Sequence, residues 1–181
     1  MKNVIFAVLL ALAVPFTASA ADPSFTYLEG GFSRSDLGAV EGNGGFLKGS
    51  VDFSDTGVYG FASATQAKLL GVTVTNWDAG LGYAHALPQT TLFGEVAYTD
   101  VDASGLASVD GVRVGLGART PFADSWEVLT QANWRRLDGQ QDWSGVLGVR
   151  HTFADSWSVG ATVEFGEDDF YQYGLGVRYS F

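Results

Sequence analysis

Apolar and polar residues alternate with a period of two along most of this chain. Every odd-numbered residue of Trp157–Phe165 is apolar, and serine, glycine, threonine and glutamate lie between them. Such alternation is typical of β-strands with one apolar and one polar face. The pattern recurs ten times, in segments of about ten to twelve residues, the length of a tilted strand that crosses a bilayer. The segments are Phe25–Arg34, Gly44–Phe53, Gly57–Gln66, Val74–Ala86, Thr90–Asp100, Gly111–Thr120, Trp126–Arg136, Asp142–Thr152, Ser156–Gly166 and Phe170–Phe181.

These segments predict an all-β protein, a transmembrane antiparallel up-and-down β-barrel of ten strands. Short connections alternate with longer, acidic ones, which we expect to lie at opposite rims. The longer connections are Ser35–Asn43, Ala67–Thr73, Val101–Asp110, Leu137–Gln141 and Glu167–Asp169. An even strand number places both chain ends at the short-turn, periplasmic rim. Because Gly57–Gln66 is rich in small residues on both faces, an eight-stranded barrel is the alternative.

An internal repeat supports this register. Leu116–Trp126 and Leu147–Trp157 differ only at their third, fifth and sixth positions, and Leu175–Phe181 follows the same pattern until the chain stops. Three descending strands therefore share one design, with leucine and phenylalanine outward and glycine and arginine inward. Repetition is expected when each hairpin separates the same lipid from the same lumen.

The chain ends on Phe181, which shares the apolar face of the last segment with Tyr179. A terminal aromatic residue at the periplasmic interface would join an aromatic girdle. The ending also resembles the C-terminal signal of Gram-negative outer-membrane barrels. We therefore expect Gly176, Tyr179 and Phe181 to form an assembly signal that the barrel assembly machinery reads.

Residues 1–20 have the features of a secretory signal peptide. Lys2 precedes the apolar run Val4–Val14, and Ala18–Ala20 fits a small-residue cleavage site. We expect residues 21–181 to form the mature barrel, exported past periplasmic chaperones to the cell outer membrane. Removal of Lys2 leaves nine basic and 20 acidic residues, a formal charge of −11, and the chain has no cysteine.

Charged residues with the parity of the polar face are evenly balanced, six acidic against six basic. We expect them to form a lumen charge network: Glu29, Lys48, Asp52, Asp78, Glu95, Arg113, Arg119, Glu127, Arg135, Arg150, Glu164 and Arg178. Buried charges are costly unless they are paired, so the balance favours a filled lumen over a one-signed selective pore. Inward glycines leave room for arginine side chains or for a thin water path, so a narrow porin-like channel for ions or small solutes is the alternative.

The remaining chemistry is sparse. His85 and His151 have outward parity at the periplasmic rim, so the sequence predicts no enzyme, no catalytic residue and no cofactor. The acidic outer connections favour lipid and lipopolysaccharide surroundings over nucleic acid. Carboxylates there suit divalent cations, yet no ligand spacing is recognisable, so no metal site is predicted. We expect a monomer.

Four segments resemble small Gram-negative outer-membrane β-barrel proteins, and most of all a quorum-sensing-associated subfamily. They are "FTYLEGGF" (Phe25–Phe32), "NWDAGLGYAHAL" (Asn76–Leu87), "LFGEVAYTD" (Leu92–Asp100) and "GVRVGLGAR" (Gly111–Arg119). The resemblance implies a non-enzymatic outer-membrane protein, released in outer-membrane vesicles and linked to biofilm, motility and envelope stress. It supplies no ligand residues, and Glu29 matches within the first segment.

Overall fold

The structure is a computed structural model that describes residues 24–38, 40–53, 56–105, 107–167 and 169–181. The predicted signal peptide and its cleavage site lie outside the described residues. The part of the chain that is described contains no helix that is long and apolar enough to span a bilayer.

Ten antiparallel strands form one closed barrel in which each strand pairs with its neighbours in sequence and β1 pairs with β10. The strands are β1 (Tyr27–Leu37), β2 (Glu41–Asp52), β3 (Val58–Leu69), β4 (Val72–Leu87), β5 (Thr90–Ala103), β6 (Ala107–Ala123), β7 (Trp126–Leu137), β8 (Gln140–Ala154), β9 (Trp157–Gly166) and β10 (Phe170–Ser180). The predicted ten-stranded up-and-down barrel is confirmed. The eight-stranded alternative is wrong, because β3 pairs with β2 over Tyr59–Leu69 and with β4 over Val58–Leu69.

Both chain ends lie at one rim, here called the terminal rim; the opposite rim is the distal rim. The expectation of longer distal loops is wrong. Distal strand ends are separated by only two or three residues, and most of the acidic residues that were expected in loops lie within strands. The hairpins at Leu70–Gly71 and Asp138–Gly139 turn on two residues with positive φ, as tight type I′ turns require. Pairing continues to the rim because it satisfies backbone N–H and C=O groups.

The outer face of the barrel is apolar and unpacked, as lipid contact requires. Leu81 and Val96, which are cross-strand neighbours on β4 and β5, are both well exposed. Aromatic residues gather toward the two rims. Trp126 stacks on His151 at the terminal rim, with ring centroids 4.5 Å apart, and Trp77 packs on Tyr98 in the distal half. This distribution is typical of the aromatic girdles of membrane barrels.

The repeated segments form the same local irregularity in two hairpins. The pairing register shifts between Pro121 and Ala123 in β6, and between Thr152 and Ala154 in β8, just before each terminal-rim turn. Such bulges increase local twist and help a sheet close. The sequence repeat therefore corresponds to a repeated strand ending.

A small hydrophobic cluster lies inside the barrel near the terminal rim. Phe25, Tyr59 and Phe93 are buried together, and Leu129 packs against them. The Phe25 and Tyr59 ring centroids are 4.5 Å apart. Phe25 precedes β1, so residues just ahead of the first strand occupy the lumen and do not extend the barrel wall.

Candidate functional site

The lumen is the candidate site, and Glu29 is the centre of its terminal half. Glu29 on β1 faces Arg178 across the β10 pairing and Lys48 across the β2 pairing. Its Oε2 atom accepts hydrogen bonds from Arg178 Nε at 2.9 Å and Nη2 at 2.7 Å, and from Arg150 Nη2 at 2.9 Å. Glu29 is only 5% exposed. One buried carboxylate thus joins three strands, β1, β8 and β10, across the lumen.

Arg119 holds the segment that enters the lumen. Its Nε atom donates to Glu127 Oε1 at 3.0 Å, and its Nη1 atom donates to the Ser24 carbonyl oxygen at 2.8 Å. The guanidinium carbon also lies 4.9 Å from the centroid of the Phe25 ring, within cation–π range. The backbone and the side chain of this segment are therefore both fixed to β6.

Glycines on neighbouring strands make room for the aromatic cluster. A Cβ atom on Gly82 would lie 2.2 Å from the Tyr59 ring, and one on Gly117 would lie 2.4 Å from the Phe93 ring. No side chain fits at either position while the rings stay in place. These two inward glycines accommodate aromatic rings, whereas the sequence predicted room for arginine or water.

A second network fills the middle of the lumen around Arg113 and Glu95. Arg113 Nη1 donates to Glu95 Oε2 at 3.1 Å, and Gln131 Nε2 donates to the same oxygen at 3.2 Å. Tyr59 donates its hydroxyl to Glu95 Oε1 at 3.0 Å. Arg113 Nε lies 3.7 Å from Asp78 Oδ1. The aromatic cluster and the charge network are thus connected through Tyr59.

The distal part of the lumen holds two further charged groups. Arg135 Nε donates to Asp142 Oδ1 at 3.0 Å. Glu164 Oε1 accepts a hydrogen bond from Ser144 Oγ at 2.7 Å. Asp142, the first residue of its predicted segment but not counted among the inward charges, has inward parity on β8 and faces Arg135 on β7.

Among the described residues, two members of the predicted network make neither a side-chain hydrogen bond nor an ion pair in the lumen. Lys48 lines the lumen, and its Nζ atom lies 5.2 Å from the centroid of the Phe46 ring. Asp52 is exposed at the terminal rim, where its backbone N–H donates to Thr26 Oγ1 at 3.0 Å. The other ten predicted residues are drawn into hydrogen bonds or ion pairs across the lumen.

The inward charges are segregated along the barrel axis, which the even sequence count concealed. Toward the terminal rim, and apart from the exposed Asp52, four cations face two carboxylates, a formal charge of +2: Lys48, Arg119, Arg150, Arg178, Glu29 and Glu127. In the middle and distal lumen, four carboxylates face two cations, a formal charge of −2: Asp78, Glu95, Asp142, Glu164, Arg113 and Arg135. The lumen therefore carries a built-in field along its axis.

Two cavities lie along the lumen, and three arginines line both. The central cavity, about 210 Å³, reaches Glu95 and Arg113. The second cavity, about 220 Å³, lies at the terminal rim between the β6–β7 and β8–β9 turns. Arg119, Arg150 and Arg178 border each cavity, so they form the layer that separates them.

The predicted assembly-signal residues occupy the end of β10 and the residue that follows it. The Tyr179 ring lies 4.9 Å from the Trp157 ring and 4.9 Å from the Phe181 ring, measured between centroids. Gly176 faces the lumen, where a Cβ atom would lie 2.7 Å from the Phe46 ring. The aromatic residues therefore form a continuous row on the outer face at the terminal rim.

Sequence reasoning missed the aromatic cluster and the polar residues that support the network. Phe25, Tyr59, Phe93 and Leu129 have inward parity but are large and apolar, unlike most inward residues. That exception was the available signal. The polar partner Gln131 also has inward parity, yet nothing in the pattern showed which carboxylate it would contact.

The sequence matches no protein-family model and no curated protein. Among solved structures, the KdgM porin is 12% identical with a TM-score of 0.53, covering 86% of this chain and 99% of that chain. The KdgM porin in complex with disordered oligogalacturonate is 13% identical with a TM-score of 0.52 over the same shares. The β domain of the Bordetella autotransporter BrkA is 14% identical with a TM-score of 0.51, covering 86% and 98%. These likenesses establish the fold, that of an outer-membrane β-barrel.

Proposed function

We propose that this protein is a non-enzymatic outer-membrane β-barrel with a closed, charge-filled lumen, acting in envelope structure or surface interaction. The observation that carries the proposal is the occupation of the terminal half of the lumen by Phe25 and by the bonds that Glu29 accepts. A conducting pore needs a continuous water path, whereas here aromatic rings and paired charges cross the section.

The same fold supports the proposed location and partners. An apolar outer face between aromatic rings fits lipid and lipopolysaccharide, and a terminal aromatic row fits recognition by the barrel assembly machinery after passage with periplasmic chaperones. We propose a monomer, exported by its signal peptide and carried into outer-membrane vesicles. The links to biofilm and motility rest on the sequence resemblance to the quorum-sensing-associated subfamily.

The absence of enzymatic activity is part of the proposal. Both histidines, His85 and His151, lie on the outer face close to the terminal rim, away from the lumen carboxylates. In acid–base and nucleophilic mechanisms the general base is most often a histidine, within hydrogen-bond reach of the group that it deprotonates.

The test is single-channel conductance of the refolded mature protein in a planar bilayer, beside a Phe25→Ala/Arg119→Ala variant. The variant removes both the ring in the lumen and the side chain that holds it. We expect the native protein to be silent and the double variant to show openings. Phe32→Ala is the matched control, since Phe32 lies on β1, the strand that follows Phe25, but faces lipid. Folding is verified by heat-modifiable gel mobility.

The alternative is a narrow porin-like channel for ions or small solutes. The two cavities along the lumen favour it, since they border the same arginine layer. Steady openings of the native protein that change in Arg119→Ala would support the channel and contradict a closed lumen. Silence of the folded double variant would show that Phe25 and Arg119 are not what closes the barrel.

A further inference from the structure

We propose that the lumen mouth at the terminal rim binds a small oxyanion of the inorganic phosphate class. The site is the arginine layer formed by Arg119, Arg150 and Arg178, together with the cavity of about 220 Å³ that it borders. The inference does not depend on whether the lumen conducts. An anion held at this mouth is compatible with either proposed function.

The three arginines are equivalent positions of the sequence repeat, and the barrel gathers them at one level. They lie on the descending strands β6, β8 and β10, near the end of each strand. Glu29 contacts two of them and Glu127 contacts the third. Two carboxylates and four cations, with Lys48 included, leave this layer with a formal charge of +2. A buried net charge is costly unless a counter-ion neutralises it.

Arg178 provides the most specific observation. Its side chain is 8% exposed, and its Nη1 atom has no hydrogen-bond partner within the described residues. Its Nε and Nη2 atoms are both bonded to Glu29, and its guanidinium carbon lies 3.6 Å from the centroid of the Tyr27 ring. The guanidinium is therefore held in one orientation with a free donor. This donor is enclosed and lacks a partner, which is costly, so we expect the guanidinium to shift toward an anionic oxygen that enters the cavity.

Residues with hydroxyl side chains line the same cavity. Serines and a threonine make up most of its remaining polar lining: Ser24, Ser125, Thr152, Ser156, Ser158 and Ser180. Ser158 Oγ accepts a hydrogen bond from Arg150 Nη1 at 3.3 Å, which aligns that guanidinium with the wall. Gly160 leaves further room, since a Cβ atom there would lie 3.3 Å from the Arg150 guanidinium. Guanidinium and hydroxyl donors together suit a compact anion with several acceptor oxygens.

The carboxylates at the cavity determine the size and charge of what can bind. Glu127 is paired with Arg119, whereas Asp124 and Asp155 are exposed at the two neighbouring turns. Exposed charges are hydrated and screened by salt. These two carboxylates weaken the attraction of the mouth for anions, but they do not neutralise the positive charge of the buried arginine layer. A small oxyanion is therefore favoured over a long polyanion.

The experiment is isothermal titration calorimetry of the refolded mature protein in a phosphate-free detergent. Sodium phosphate is the probe, and chloride is exchanged for it at constant ionic strength. We expect saturable binding at one site, which sulfate competes and chloride does not. In Arg178→Gln we expect an affinity at least about tenfold lower. Arg113→Gln is the matched control, because it removes an ion-paired lumen arginine outside the layer, and its affinity should stay unchanged.

Absence of saturable binding up to about 20 mM phosphate would overturn the proposal, because that concentration covers even weak millimolar sites. An equal loss in Arg113→Gln would also overturn it. Should Arg178→Gln not fold, the exposed double variant Asp124→Asn/Asp155→Asn decides. Removing two negative charges from the mouth should tighten binding about two- to threefold at low salt. Unchanged or weaker binding would contradict the placement of the site.

Discussion

Glu29 shows how one residue organises the lumen of this barrel. Its two cross-strand neighbours, Lys48 and Arg178, are cationic, and Arg150 reaches it from β8. Each arginine loses part of its hydration in the lumen, so the shared carboxylate offsets a desolvation cost for two side chains at once. The carboxylate therefore stabilises the seam between the first and last strands as well as the interior.

A Glu29→Gln substitution tests the contribution of the Glu29 charge separately from that of its side-chain shape. It retains the size of the side chain but leaves Arg150 and Arg178 without their counter-ion. We expect it to lower the free energy of unfolding by about 3 kcal/mol, since removing one partner of a buried pair leaves uncompensated charge. Urea unfolding of the refolded protein in phospholipid vesicles measures the change.

The matched control is Glu41→Gln, which breaks the exposed ion pair between Arg34 and Glu41. Exposed pairs contribute about 1 kcal/mol or less, so this variant should unfold close to the native protein. Equal destabilisation by the two substitutions would mean that the lumen is hydrated enough to screen Glu29 as a surface charge is screened.

At the scale of single strands, alternating side chains point to the lumen and to lipid. β6 places Arg119 and Arg113 in the lumen, and Leu116 between them on the outer face. From Gly111 to Arg119 the backbone is paired on both sides, so side-chain parity determines which residues meet lipid. An apolar-to-charged substitution that would barely change the stability at a water-exposed site should therefore lower the free energy of unfolding on the lipid face.

Leu116→Arg tests that inference. Leu116 is 67% exposed in the middle of a strand, and we expect arginine there to cost about 2–4 kcal/mol, as at a bilayer midplane. Leu70→Arg is the control, because Leu70 is even more exposed, at 84%, but lies at a distal turn. Urea titration in vesicles compares the two. Equal tolerance of both variants would contradict the assignment of the outer face to lipid.

The whole molecule depends on closure of the sheet, since β1 and β10 pair over eleven residue positions and leave no strand edge. Closure brings both chain ends to one rim. There the aromatic row of Trp157, Tyr179 and Phe181 lies next to the first residues of β1. The end of β10 therefore combines the last pairing step with the exposed aromatic residues that we propose as an assembly signal.

Phe181→Ala should separate assembly from folding. Phe181 is exposed, so its removal costs little packing, and refolding into detergent should match the native protein. In cells with the barrel assembly machinery we expect the outer-membrane level to fall several-fold. Quantitative blotting of outer-membrane fractions measures this, with Phe153→Ala as the control for an exposed aromatic residue elsewhere at the terminal rim. Equal levels of the two variants would contradict the assembly-signal proposal.

Much of this fold was predictable from parity, because a period of two needs no knowledge of distant residues. All ten strands were located, including β3, whose small residues gave a weak pattern. The inward position of Glu29, Arg119 and Arg178 followed in the same way. Parity shows whether a side chain points into the lumen or toward lipid. It does not show how far along the barrel axis a long side chain reaches.

For that reason the axial segregation of charge and the partners of each carboxylate required the structure. The entry of Phe25 into the lumen was hidden because an alternating pattern continued through it, so it was assigned to the first strand. The lengths of the distal connections were overestimated because acidic residues are typical of loops, whereas here they continue paired strands.

The tight distal hairpins limit which molecules can bind or cleave this barrel at its distal rim. Proteases cleave, and antibodies often bind, stretches of chain that leave the sheet, whereas here paired strands are joined by only two or three residues. In the described residues, the distal rim consists of acidic strand ends joined by short turns. We therefore expect a partner at this rim to recognise the paired strand ends themselves, by charge and by shape.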